Sequence, residues 1–132
     1  MSEADISELQ FPDGLMGFPD ARRFSLLAWG GEDSPFSLLH NLEDESLEFV
    51  VVPPLLFFPD YEPVIEEEAA SRLGLTSADD ALMLVIVTVP DDPKAATANL
   101  LGPVIVNRHT RKAGQVVLSL PDEFVRRPLL TH

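Results

Sequence analysis

The sequence predicts a mainly β protein: a small antiparallel, barrel-like sheet in a single domain over residues 1–132, with one or two short helices. Three observations carry this. Short aliphatic and aromatic runs recur at close intervals along the chain. Strings of turn residues separate them. One apolar run, Asn99 to Asn107, is interrupted at its centre by Gly102-Pro103. Proline has no N–H and fixes φ, so this run is predicted as a strand edge, a bulge or a bend between two short strands. The flanking asparagines can close the backbone locally.

In chain order, Phe11-Pro12-Asp13-Gly14-Leu15-Met16-Gly17-Phe18 comes first. Pro-Asp-Gly sets a tight turn and Gly17 permits a second reversal, which would bring Phe11, Leu15 and Phe18 to plug a barrel end. The runs 24–29 and 36–39, separated by Gly30-Gly31-Glu32-Asp33-Ser34-Pro35, read as a hairpin with a long loop. A strand over 47–52 is stopped by Pro53-Pro54. The stretch 53–63 carries four prolines around three aromatics, so it is expected to run as a stiff extended loop. It must then either fold over a barrel end as a lid or leave apolar surface for a partner.

Residues 65–74 are good helix formers, with Ile65, Ala69 and Leu73 on one face, glutamates in the first turn and Gly74 as a stop. Ser77, with Asp80 three residues on, predicts a second helical turn through a capping-box analogue. Leu82–Val89 and Gln115–Leu120 read as further strands.

Charge and composition bound the function. The net charge is −13, and it is unevenly spread. Residues 1–68 hold 16 Asp or Glu against two Arg, a balance of −14; residues 69–132 hold six acids against seven Lys or Arg, a balance of +1. Such a first half repels phosphate backbones and attracts basic surfaces, although acidity alone also serves solubility. No Lys/Arg stripe with interleaved aromatics is present, so direct nucleic-acid binding is disfavoured. The chain has no cysteine, which removes disulfides and thiolate zinc sites and fits a reducing compartment. The first ten residues do not read as a secretory signal. The longest apolar run, 81–87, falls far short of the ~20 residues that cross a bilayer.

No catalytic motif emerges. There is no phosphate-binding glycine loop and no G-x-S-x-G, and the three histidines lack metal-ligand spacing. His40 reads as a half-buried strand residue, His109 sits in a basic turn and His132 ends the chain. Carboxylates are so abundant that proximity of any two carries little information. No catalytic residue, metal or cofactor is therefore assigned. A ligand-binding or structural barrel, and a hydrolase with a carboxylate pair of raised pKa, remain as the alternative classes.

Five segments taken in order carry a family resemblance: Phe11–Phe18, Ser34–Leu42, Phe57-Phe58-Pro59-Asp60-Tyr61, Thr97–Asn107 and Gln115–Leu118. Together they resemble the flagellar assembly factor FliW family over nearly the whole chain, from Leu9 to about Leu130. Trp29-Gly30-Gly31 and Glu43-Asp44-Glu45 have no match in that pattern. The resemblance implies a small β-barrel with short helical additions and a non-enzymatic, cytoplasmic protein-binding regulator. Its implied partners are flagellin before export and the RNA-binding translational repressor CsrA, bound one at a time, with CsrA antagonised allosterically. Flagellin translation would thereby be coupled to export. No membrane contact is expected, and a monomer is favoured. The residues expected to form a contact surface are Phe58, Tyr61, Asn99, Val104, Ile105 and Asn107, beside a sheet edge at Gly102-Pro103. Because strand neighbours point to opposite faces, one of Val104 and Ile105 is expected in the core.

Overall fold

The structure, a computed structural model, describes residues 6–30, 34–44 and 46–129. Gly31, Glu32, Asp33, Glu45 and His132 lie outside these residues. Among the described residues nine strands form one sheet: β1 (Ile6–Gln10), β2 (Arg23–Ala28), β3 (Ser37–Asn41), β4 (Glu48–Val52), β5 (Ala81–Thr88), β6 (Thr97–Ala98), β7 (Val104–Asn107), β8 (Ala113–Gln115) and β9 (Arg127–Pro128). Strands β1 to β5 form an antiparallel meander, each pairing with the next. Strand β7 then pairs with β5 on one side and β8 on the other. The sheet curls until its ends meet, where Gln10 bridges Lys112 and its N–H donates to the Arg111 carbonyl at 2.9 Å. The result is a nearly closed barrel, as the sequence predicts.

Strand alternation divides the apolar side chains between two cores. Leu9, Phe24, Leu26, Leu39, Val51 and Leu84 point inward with Val104 and Val106 and fill the barrel. Phe11 and Leu15 close it as expected, both buried. Phe18 only half fits: it remains 42% exposed, with its ring edge-on to Phe49 at 5.5 Å. The turn that places these residues needs Gly14, whose φ is +69° and where a Cβ would lie 2.5 Å from the Phe18 carbonyl oxygen.

A second core lies on the outer face of β4 and β5. Val52, Val85 and Val87 meet Tyr61, Leu100 and Leu129 there, with Phe57 and Phe58 packed alongside. The proline-rich stretch is thus a lid, although not an extended one. Pro54–Leu56 make a 3-10 turn, and the Pro54 carbonyl accepts from Phe57 and Phe58. Proline at the first turn position costs no hydrogen bond, so the turn tolerates what a strand would not. Leu55 and Leu56 are left outside, 60% and 63% exposed.

The helix α1 spans Glu67–Arg72, two residues shorter at each end than the composition suggests. Ala69 and Leu73 are buried, Ile65 is half-buried before the helix starts, and Gly74 stops it at φ +69°. The second turn forms at Ala78–Asp80, with the Ser77 hydroxyl accepting from the Asp79 N–H at 3.1 Å. The reciprocal half of the capping box is absent, because the Asp80 carboxylate accepts from the Thr76 hydroxyl and pairs with His109 instead.

One expectation about strands needs correction, and one strand was not expected. The strand predicted over Gln115–Leu120 is β8, Ala113–Gln115, and it ends where Pro103 stands opposite Val116 without an N–H to return. Strand β1 escapes sequence inspection. A bulge between Ile6 and Leu9 spaces its two inward residues three apart and breaks the two-residue period.

Candidate interaction surface

The run from Thr97 to Asn107 is one strand broken in two. Ala98 pairs with Val87, and Val104 pairs with Leu84. The Asn99 N–H still donates to the Ile86 carbonyl at 2.9 Å, so a single residue of β5, Val85, stands opposite the four residues 100–103, which leave the ladder as an excursion. The Asn99 side-chain carbonyl accepts from the N–H groups of Leu101 and Gly102 at 3.0 and 3.1 Å and closes the excursion. Asn107 does the same after β7, accepting from His109 and Thr110 at 2.8 and 3.1 Å. Its amide also donates to the carbonyls of Leu73 and Gly74, tying α1 to the sheet. Both asparagines therefore act as turn closers, as their positions suggest.

The break is covered on both flanks, contrary to the expected open edge. Pro103 and Leu101 accept from the N–H groups of Val116 and Leu118, and Leu100 donates to Phe124. Gln115 reaches across with its amide, donating to Gly102 at 2.9 Å while accepting from Met16 N–H at 3.0 Å. A Cβ at Gly102 would stand 2.9 Å from that amide nitrogen, so the glycine permits the close approach.

The six residues expected to form a contact surface accordingly divide. Val104, Ile105 and Asn107 are 0%, 1% and 2% exposed, and Tyr61 is 8% exposed. Neither Val104 nor Ile105 is exposed. Val104 enters the barrel, and Ile105 lies on the opposite face, shared with Asn107, which α1 covers. Tyr61 donates its hydroxyl to the Leu100 carbonyl at 2.6 Å, and burial pushes its pKa up to about 12. Phe58 and Asn99 are half-buried and keep some accessible surface. These residues hold the fold together and do not make one exposed face.

A contiguous, partly exposed apolar face lies elsewhere, on the outer side of β2 to β4. Register places Leu27, Leu38 and Val50 side by side across three strands, leading to buried Val87 in β5. Trp29 and Phe36 continue the face, with ring centroids 6.3 Å apart, and Phe36 meets Phe57 at 5.9 Å. Leu27 and Trp29 are 43% and 44% exposed. On the same face, His40 sits across from Glu48, its Nδ1 2.9 Å from the carboxylate. The sequence carried a signal for this face: a strand whose alternate positions, Leu27 and Trp29, are as apolar as the buried set, Phe24 and Leu26.

Hydrolytic chemistry has little support in this geometry. Among the described residues the carboxylates with displaced pKa values move downward: Glu8 through its hydrogen bond with Arg23, Asp44 through Ser46, and Asp80 through Thr76 and then His109. A general acid needs the opposite shift. Among the described residues no group of three or more His, Cys, Asp or Glu is placed to hold a metal ion, and no helix is long and apolar enough to cross a membrane.

Comparison with known proteins gives one answer. A family model described as FliW protein matches residues 1–129. A flagellar assembly factor FliW from Symbiobacterium thermophilum is 42% identical over 120 residues, covering 91% of this chain and 87% of that protein. Another, from Leptospira interrogans, is 39% identical over 131 residues, covering 98% and 85%. A solved structure described as the crystal structure of the flagellar assembly factor FliW superposes with a TM-score of 0.88 at 30% identity, covering 96% of this chain and 87% of that one.

Proposed function

From the premise that this chain belongs to the FliW family of flagellar assembly factors, we propose that it is a non-enzymatic, cytoplasmic regulator that binds flagellin and antagonises the translational repressor CsrA. The two partners compete for the protein. Flagellin retained in the cytoplasm occupies it and frees CsrA to repress flagellin translation, whereas export releases it to take CsrA up again. The observation that carries a protein-binding role is the outer apolar face of Leu27, Trp29, Phe36 and Leu38, because aromatic surface of this kind supplies the anchors of protein interfaces. Phe58 and Asn99 retain accessible surface for a supporting contact. The buried interior argues against a ligand-binding barrel, since side chains fill it.

Charge supplies the antagonism. A protein that holds RNA presents basic surface, and residues 1–68 of this chain carry a balance of −14. Docked near such a surface, the chain accelerates association and lowers the local affinity for phosphate without covering the RNA site. Mutual exclusion of the two partners requires overlapping or coupled sites.

Calorimetric titration of the purified chain with flagellin and with CsrA tests the reading. Binding of both, each displacing the other, is expected. Replacing Trp29 by Ala should weaken binding by about 1–3 kcal/mol while leaving the melting temperature nearly unchanged. Raising salt should weaken CsrA binding and antagonism of RNA together. Antagonism that stays undiminished at high salt with CsrA still saturated would remove the electrostatic part, and absence of both complexes would remove the whole reading.

A further inference from the structure

The ladder between β7 and β8 does not stop where the regular strand does. Ile105 pairs with Gly114, and the same register continues as the Pro103 carbonyl accepts from Val116 and the Leu101 carbonyl accepts from Leu118. Residues 115–118 therefore run extended for about 14 Å, and the chain bends at Ser119. Backbone groups alternate sides along such a segment, so those of Val117 face away from the sheet. Among the described residues nothing hydrogen-bonds to the Val117 backbone. Val117 is 60% exposed.

A groove of about 480 Å³ opens along this edge. Its far wall is the segment 62–66 leading into α1, where Val64 is 80% exposed and its backbone also lacks a partner among the described residues. A second groove, of about 470 Å³, shares Ala69, Arg72, Gln115 and Val116 with the first and extends the channel toward Met16. The first groove is apolar at its rims through Val64 and Val117 and acidic through Glu62, Glu66 and Glu68. The one cation among its lining residues, Arg72, lies 3.6 Å from the Asp13 carboxylate.

We infer that this edge accepts an extended peptide segment bearing alternating apolar and Lys or Arg side chains, which adds as a strand along 115–118 and pairs with the outward backbone groups of Val117. The backbone groups supply the pairing, Val64 and Val117 take the apolar side chains, and the three glutamates select for cationic ones. Edge pairing of this kind is what an uncovered strand invites, and no proline or lysine within 115–118 blunts this one. The site lies apart from the β2–β4 face and holds whether or not flagellin and CsrA are the partners.

The test uses the full chain, isotope-labelled, with a capped hexapeptide of alternating lysine and valine and its glutamate–valine counterpart. The basic peptide is expected to slow amide exchange at Val117 by about tenfold or more, and the acidic one to leave it unchanged. Val117→Pro removes an outward N–H that no ladder bond uses, and should weaken peptide binding by about tenfold or more with the dispersed spectrum retained. If that variant fails to fold, the exposed double substitution Glu62→Lys/Glu66→Lys replaces it and should lose the basic peptide while gaining the acidic one. Failure of the basic peptide to bind at millimolar concentration overturns the inference. So do equal binding of both peptides, protection confined to other amides, and protection of Val117 in the free protein through pairing with a second copy.

Discussion

Replacing Tyr61 by Phe isolates one hydroxyl. The ring stays in the outer core with Leu100 and Leu129, so apolar burial is nearly unchanged. What is lost is the 2.6 Å bond to the Leu100 carbonyl, on a residue only 2% exposed. No other group among the described residues donates to that oxygen, so it is left without a partner and the cost is about 1–3 kcal/mol. A chain of 132 residues has an unfolding entropy of roughly 0.28 kcal/mol/K, so the melting temperature should fall by about 4–11 °C. The same residue gives a second reading. Its folded pKa, pushed up to about 12, lies above the ordinary value near 10. The folded state then holds a proton that the unfolded state releases, so this contribution is complete below about pH 10 and is lost as pH rises through about 12. The stability gap between the wild type and Tyr61→Phe should therefore close over that interval. As the chain has one tyrosine, tyrosinate absorbance reports the titration directly. A melting temperature within about 1 °C of wild type, or native titration near pH 10, would refute the reasoning.

The remaining expectations concern the turn closers and the acidic surface. Asn107→Ala removes two donated and two accepted hydrogen bonds at a buried position and should cost about 2–4 kcal/mol by denaturant unfolding, more than Asn99→Ala at its half-buried site. Asp80 is held below its ordinary pKa first by Thr76 and then by His109, so its contribution is present above the ordinary carboxylate range and lost as pH falls through the depressed value. Carboxyl NMR titration should find that pKa raised in Thr76→Val, and raised less in His109→Ala.

Local chemistry was readable wherever one residue forces one conformation. Pro103 broke its strand, Gly74 stopped its helix, and Asn99 and Asn107 closed their turns because these residue types leave the backbone little choice. The outcome of Gly102-Pro103 was not readable, since whether a break makes an edge depends on what covers it. Here Val116, Leu118 and Phe124, up to 21 residues further on than Pro103, supply the cover. The burial of Tyr61, Val104, Ile105 and Asn107 was not readable for the same reason. Val104 and Ile105 alternate faces as any strand does, but α1 and the barrel interior bury both. The exposure of the Leu27–Trp29 face was not readable because it depends on whether another element covers that face, as Phe57, Phe58 and Tyr61 cover the outer face of β4 and β5, and residue order alone does not fix this.

The closure of the barrel at Gln10 and Lys112 bears on how the chain reaches this state. The meander from β1 to β5 joins neighbours in sequence and can zip one hairpin at a time. The seam joins residues 102 positions apart through a bridge and one hydrogen bond to Arg111. Chain-closure entropy for so distant a pair is offset only once both flanking sheets exist, which puts this seam last in assembly. It is also the first line along which thermal opening will part the barrel, ahead of any loss in the meander.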